Sequence, residues 1–135
     1  MTTTVEDVFG QVGQGDIGLV KLTEEGLPTE SLAELRLLGL TFAEVGQIVV
    51  APRTVKHRKS RGERLSTEES ERLLRVARVL ALANRVFGDH DKALRWLREP
   101  DPRLNGRSCL SLLRTEAGGK FVENMLWQID EGMFP

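Results

Sequence analysis

The residues best equipped for chemistry are cationic and clustered. Arg53, Thr54, Val55, Lys56, His57, Arg58 and Lys59 run consecutively, with Arg61 and Arg64 close behind. Lys and Arg neutralise phosphates, Arg also pairs with guanine edges, and Thr does either, so this run has the composition of a nucleic-acid contact. The formal net charge of −1 hides it. Residues 1–44 carry 2 basic against 8 acidic side chains, residues 45–85 carry 10 against 4, and residues 86–135 carry 7 against 8. A basic middle between an acidic front and a near-neutral back is the footprint expected of local phosphate binding.

Other reactive residues point to no catalytic constellation. His57 has basic neighbours and no carboxylate to orient it as a general base, so it reads as a DNA contact or a surface residue. His90 lies between Asp89 and Asp91, but three consecutive residues at a helix start cannot converge on one ion; N-capping by an Asp with His90 exposed is expected. Cys109 is the single cysteine, which excludes an intrachain disulfide and a multi-cysteine zinc site, and it reads as a small buried residue. Gly13, Gly15 and Gly18 match G-x-G-x-x-G, yet no helix suited to a phosphate is expected after them and no parallel strands follow. A non-enzymatic protein without cofactor or metal centre is therefore expected. With no leader-like N-terminus and no apolar run of about 18 residues, the compartment expected is the cytoplasm, without membrane contact.

The elements that position the basic run are helices, and the fold class expected is all-α. Residues 1–28 read as a flexible, acidic, Gly-rich arm. Ser31 with Glu34, Thr41 with Glu44 and Ser66 with Glu69 have capping-box spacing. Helices are predicted over residues 32–38, 42–48, from Pro52 or Arg53 to before Gly62, 67–87, 91–99, 108–113 and 117–131, with Gly132 in the terminating position. The second and third of these make a helix-turn-helix. Ala43 and Gly46 are small enough for a close crossing, Val45, Ile48 and Val55 lie beneath it, and Arg53, Thr54, Lys56, His57, Arg58 and Lys59 face outward. Leu73, Val76, Ala77, Leu80, Ala81, Ala83 and Phe87 occupy about half of the long helix, with Arg75, Arg78 and Arg85 on the remaining arc. Phe121, Val122, Met125, Leu126 and Ile129 form the expected core face of the last helix, and Trp96 and Trp127 read as packing residues.

The order of residues in the second half is specific. It runs Val86-Phe87-Gly88-Asp89, Lys92-Ala93-Leu94-Arg95-Trp96-Leu97, Pro100, Leu104-Asn105-Gly106, Leu112-Leu113, Thr115-Glu116-Ala117-Gly118, Leu126, Ile129-Asp130 and Gly132-Met133-Phe134. This resembles the Xre/MbcA/ParS antitoxin family. The stretch from Leu35 to Ser70, with Gly39-Leu40-Thr41 and Arg53-Thr54-Val55, is similar to that family's Xre-type front domain. The resemblance covers about residues 30–135 and departs at Cys109, where relatives often carry proline. It implies a helix-turn-helix domain over residues 29–66 and a helical dimerisation and toxin-binding domain over residues 67–135. It further implies a type II toxin–antitoxin system, a homodimer, a RES-domain toxin that degrades NAD as partner, and repression of the shared operon through operator DNA. In that setting Gly132, Met133, Phe134 and Pro135 are expected to bind the toxin, as a short apolar plug beyond the last helix. A stand-alone helix-turn-helix regulator with a helical dimerisation domain is the alternative.

Overall fold

The structure, a computed structural model, describes residues 15–132. Eight α-helices lie among the described residues: α1 Gly15–Glu25, α2 Leu32–Leu37, α3 Phe42–Ile48, α4 Pro52–Ser60, α5 Thr67–Phe87, α6 His90–Arg98, α7 Cys109–Leu112 and α8 Glu116–Asp130. Short 3-10 turns at Thr29–Ser31 and Pro102–Leu104 complete the order. The chain divides into two compact units, one ending at Leu74 and the other beginning at Arg75, so the division falls within α5. No described helix is long and apolar enough to cross a membrane.

In the unit ending at Leu74, local capping sets the helix boundaries. Thr41 Oγ1 accepts from the Glu44 amide at 3.1 Å, and Glu44 Oε1 accepts from the Thr41 amide at 2.8 Å. Ser66 and Glu69 repeat this arrangement at the start of α5, at 3.1 and 2.7 Å. The box expected at Ser31 does not form: Ser31 makes no side-chain cap and has φ −61° and ψ −23°, already helical because the preceding 3-10 turn runs into α2. An N-cap needs extended backbone to aim its hydroxyl at the next turn. Leu27, Leu35, Leu40, Val45, Ile48, Val49, Val50, Leu65 and Leu73 are buried as the core.

The expected irregular arm is corrected at residues 15–25, which form α1. Leu19 and Leu22 at i, i+3 are half-buried, and Gly26 ends the helix with φ +88°. Gly26 is held where any Cβ would collide with the Leu65 carbonyl oxygen. The next residue is anchored from both sides: Leu27 N donates to Ser70 Oγ at 2.9 Å, and Leu65 N donates to Leu27 O at 2.9 Å. Gly18 lies inside α1 and Gly13 lies outside the described residues.

In the unit beginning at Arg75, Asp89 caps α6 by accepting from the Asp91 and Lys92 amides at 2.8 and 3.1 Å. Ser108 caps α7 and Thr115 caps α8, accepting from the Ser111 and Gly118 amides at 3.2 and 3.0 Å. Val76, Val79, Leu80, Ala83, Leu97, Leu113, Val122 and Leu126 are buried. Arg75 corrects the helical-wheel expectation, since it is only 6% exposed. Its Nη1 donates to the Leu113 and Arg114 carbonyls at 3.1 Å each, and its Nη2 reaches Glu116 at 3.3 Å. A buried guanidinium with this many acceptors satisfies carbonyls left free where α7 ends. Gly119 makes room for it: a Cβ there would stand 2.6 Å from Arg75 Cδ. On α8, Val122, Met125 and Leu126 are buried as expected, Ile129 is half-buried, and Phe121 and Trp127 are exposed instead.

Candidate functional site

The turn Val49-Val50-Ala51 joins α3 to α4, and Pro52 opens α4 at a position where a missing amide costs nothing. The close approach falls at Gly46, where a Cβ would lie 3.2 Å from Pro52 Cδ, whereas Ala43 is exposed. Val45 and Ile48 are buried beneath the turn, but α4 itself buries no residue and Val55 is half-buried.

A polar clamp attaches this surface helix. Arg58 Nε stands 2.8 Å from Glu69 Oε1, and Nη2 donates to Oε2 at 3.1 Å. Glu63 adds a longer contact to Arg58 at 3.7 Å. Glu69 therefore caps α5 and grips α4 with one carboxylate. Burial alone would push Glu69 up, but the hydrogen bonds from Arg58 and Ser66 outweigh it and hold the carboxyl below its usual range. The same hydrogen bond, against burial, raises Arg58. Arg72 Nε adds a donor to the Val49 carbonyl at 2.8 Å, fixing the turn.

The expected DNA-contacting residues thus separate into two groups. Arg53, Lys56, His57, Lys59 and Arg61 are exposed, and Thr54 is half-buried. Arg53, Lys56 and His57 follow i, i+3, i+4 spacing and form one outward stripe. Arg58 is bound to Glu69, and Arg64, though exposed, donates through Nη1 to the Gly26 carbonyl at 3.1 Å. An α-helix is about 10–12 Å across with its side chains, a width that a major groove about 12 Å wide can admit. Glu69 and Arg72 are the residues that sequence reasoning missed as supports of this face. The only sign of Glu69 was its capping box, which gave no hint that a second helix used the same carboxylate.

In the other unit, α8 ends at Gly132, exposed with φ +75°, the terminating role expected for it. Met133, Phe134 and Pro135 lie outside the described residues. Phe121 is 48% exposed beside a groove of about 380 Å3 lined by Leu104, Asn124, Met125 and Gln128 among others. Trp127 is 42% exposed with the Arg85 guanidinium 5.1 Å from its ring centroid. Trp96 does pack, 5.6 Å from the Phe87 ring. His90 is half-buried rather than exposed, with Nδ1 3.0 Å from Asn84 Oδ1. Cys109 is buried, and burial pushes its thiol up to about 11. Among the described residues, no group of three or more His, Cys, Asp or Glu side chains is placed to hold a metal ion.

Comparison with known proteins adds two matches that meet near the division within α5. Residues 18–78 match the antitoxin Xre-like helix-turn-helix domain. Residues 82–132 match the antitoxin Xre/MbcA/ParS C-terminal toxin-binding domain. The first begins inside α1, ahead of the stretch in which the resemblance was legible. An Antitoxin Xre of Pseudomonas putida is 42% identical over 114 residues, 84% of this chain and 64% of that protein. An Antitoxin Xre of Yersinia enterocolitica is 36% identical over 86 residues, 63% of this chain and 58% of that protein. An Antitoxin Xre of Photorhabdus laumondii is 30% identical over 116 residues, covering 83% and 78%. The chain thus spans 64% and 58% of the length of the first two relatives. On these matches the chain belongs to the Xre/MbcA/ParS family of antitoxins.

Proposed function

We propose that this protein is the antitoxin of a type II toxin–antitoxin system, a non-enzymatic homodimer with two separable tasks. The unit ending at Leu74 binds operator DNA through Arg53, Thr54, Lys56, His57, Lys59 and Arg61, and so represses its own operon. Arg58 serves that face as a positioning residue. The unit beginning at Arg75 neutralises a RES-domain toxin that degrades NAD, with Gly132, Met133, Phe134 and Pro135 blocking the toxin's active site. The observation that carries this reading is the pairing of an outward basic stripe on α4 with a match to a toxin-binding domain over residues 82–132. The RES-type partner rests on the family resemblance of the second half.

Electrostatics give the DNA task a quantitative form. Each phosphate contact contributes about −0.9 to the slope of log affinity against log salt. Replacing Lys56 and Lys59 with Ala is expected to weaken DNA binding and to flatten that slope by roughly 2. Titrating operator-containing DNA at several salt concentrations measures both. Toxin neutralisation is expected to survive in the double variant. Loss of neutralisation in a folded Lys56→Ala/Lys59→Ala protein would overturn the division of labour, and an unchanged salt slope would overturn the DNA assignment.

A further inference from the structure

An apolar groove of about 570 Å3 opens on the unit ending at Leu74, between the Thr29–Ser31 turn, α2, α3 and α4. Val45, Val50 and Val55 line it, and Phe42, 61% exposed, stands at its mouth. Its charged lining is three cations, Arg36, Lys56 and Lys59, against one carboxylate, Glu30. Lys56 and Lys59 have no ionic partner among the described residues. An apolar floor with an unbalanced cationic rim suits a short segment that is apolar on one side and acidic on the other.

The chain carries such a segment. Val5, Val8 and Phe9 recur at i, i+3, i+4, the spacing by which amphipathic segments seat in grooves, and Glu6 and Asp7 lie between them. Residues 1–14 hold no Lys or Arg. Reach is sufficient. The 11 residues of α1 measure about 16 Å, and the six residue-to-residue steps from Phe9 to Gly15 extend up to about 20 Å. A segment before α1 can therefore return along that helix to the Thr29–Ser31 turn.

We infer that residues 4–9 of the same chain occupy this groove, placing Glu6 and Asp7 against Lys56 and Lys59. The N-terminal segment then competes with nucleic-acid phosphate for the two lysines and lowers DNA affinity intramolecularly. The effect on DNA rests on the proposed reading of α4; occupation of the groove does not.

The test uses the full chain with a nitroxide attached at Thr3→Cys; buried Cys109 does not compete for the label. The expected result is paramagnetic broadening of the Val45, Val50 and Val55 methyl signals, abolished by Phe9→Asp. Unbroadened methyls in the labelled chain, or the same broadening in Phe9→Asp, would overturn the inference. Mixing spin-labelled chain with unlabelled, isotopically enriched chain separates the sources: broadening in that mixture assigns the groove to a second copy and overturns intrachain occupation. DNA affinity of Phe9→Asp is expected to rise about five-fold or more. Broadening that Phe9→Asp abolishes without any change in DNA affinity would leave the groove assignment standing and remove the DNA role of Lys56 and Lys59.

Discussion

Glu69 is buried to 6% exposure, closes the capping box of α5 and pairs with Arg58 of α4. Its carboxyl is held below its ordinary range, so its contribution to stability is complete above the unfolded value near 4.5. That contribution is lost as pH falls through the lower, folded value. Glu69→Gln is therefore expected to lose about 2 kcal/mol at pH 7, the scale of a hydrogen bond to a charged partner. The gap to the parent is expected to narrow below pH 4. Urea unfolding at the two pH values checks this, and a pH-independent gap would contradict the assignment. Cys109 makes a second claim at this scale. With its thiol near 11, alkylation at pH 8 is expected to be slow in the folded protein and rapid once the chain is unfolded. Equal rates in the two states would refute its burial.

At the scale of elements, seven of the eight helices among the described residues were legible, because their signals are local. Thr41 and Ser66 precede Glu at the right spacing, Pro52 opens a helix, and Gly88 and Gly132 close two others. What was not legible depends on distant partners. α1 was hidden because Gly15 and Gly18 dilute its pattern, while the contacts that anchor its end come from Leu65 and Ser70, about 40 positions away. Arg75 falls outside the apolar arc by sequence because nothing nearby announces the carbonyls of Leu113 and Arg114, 38 and 39 positions away. Trp127 could have been placed correctly, since Glu123 and Asp130 at i−4 and i+3 mark its side of α8 as polar. The Arg75 arrangement predicts that Gly119→Ala costs about 1–3 kcal/mol, because the added methyl must displace a buried guanidinium stem. Calorimetry of the variant checks it, and an unchanged melting temperature would show that Arg75 gives way freely.

For the whole molecule, the distribution of charge is more informative than the total. The basic stretch from Val45 to Arg85 contains the outward stripe of α4, but five of its arginines, Arg58, Arg64, Arg72, Arg75 and Arg78, are engaged with carboxylates or carbonyls of the protein. The basic run marks the outward face of α4 and overstates the number of free cations on it, because ion pairing is a property of the fold. Met133, Phe134 and Pro135 lie outside the described residues, so the toxin contact proposed for them rests on the family resemblance and on their apolar character. Deleting Gly132 to Pro135 is expected to leave the melting temperature and DNA binding unchanged while weakening toxin inhibition. The most direct test of the proposed function is NAD consumption by the proposed RES-domain toxin partner, measured with increasing amounts of this chain. The account predicts that consumption falls to background near stoichiometric addition, with Lys56→Ala/Lys59→Ala equally effective and the tail deletion markedly less so; undiminished consumption at saturating antitoxin would contradict it.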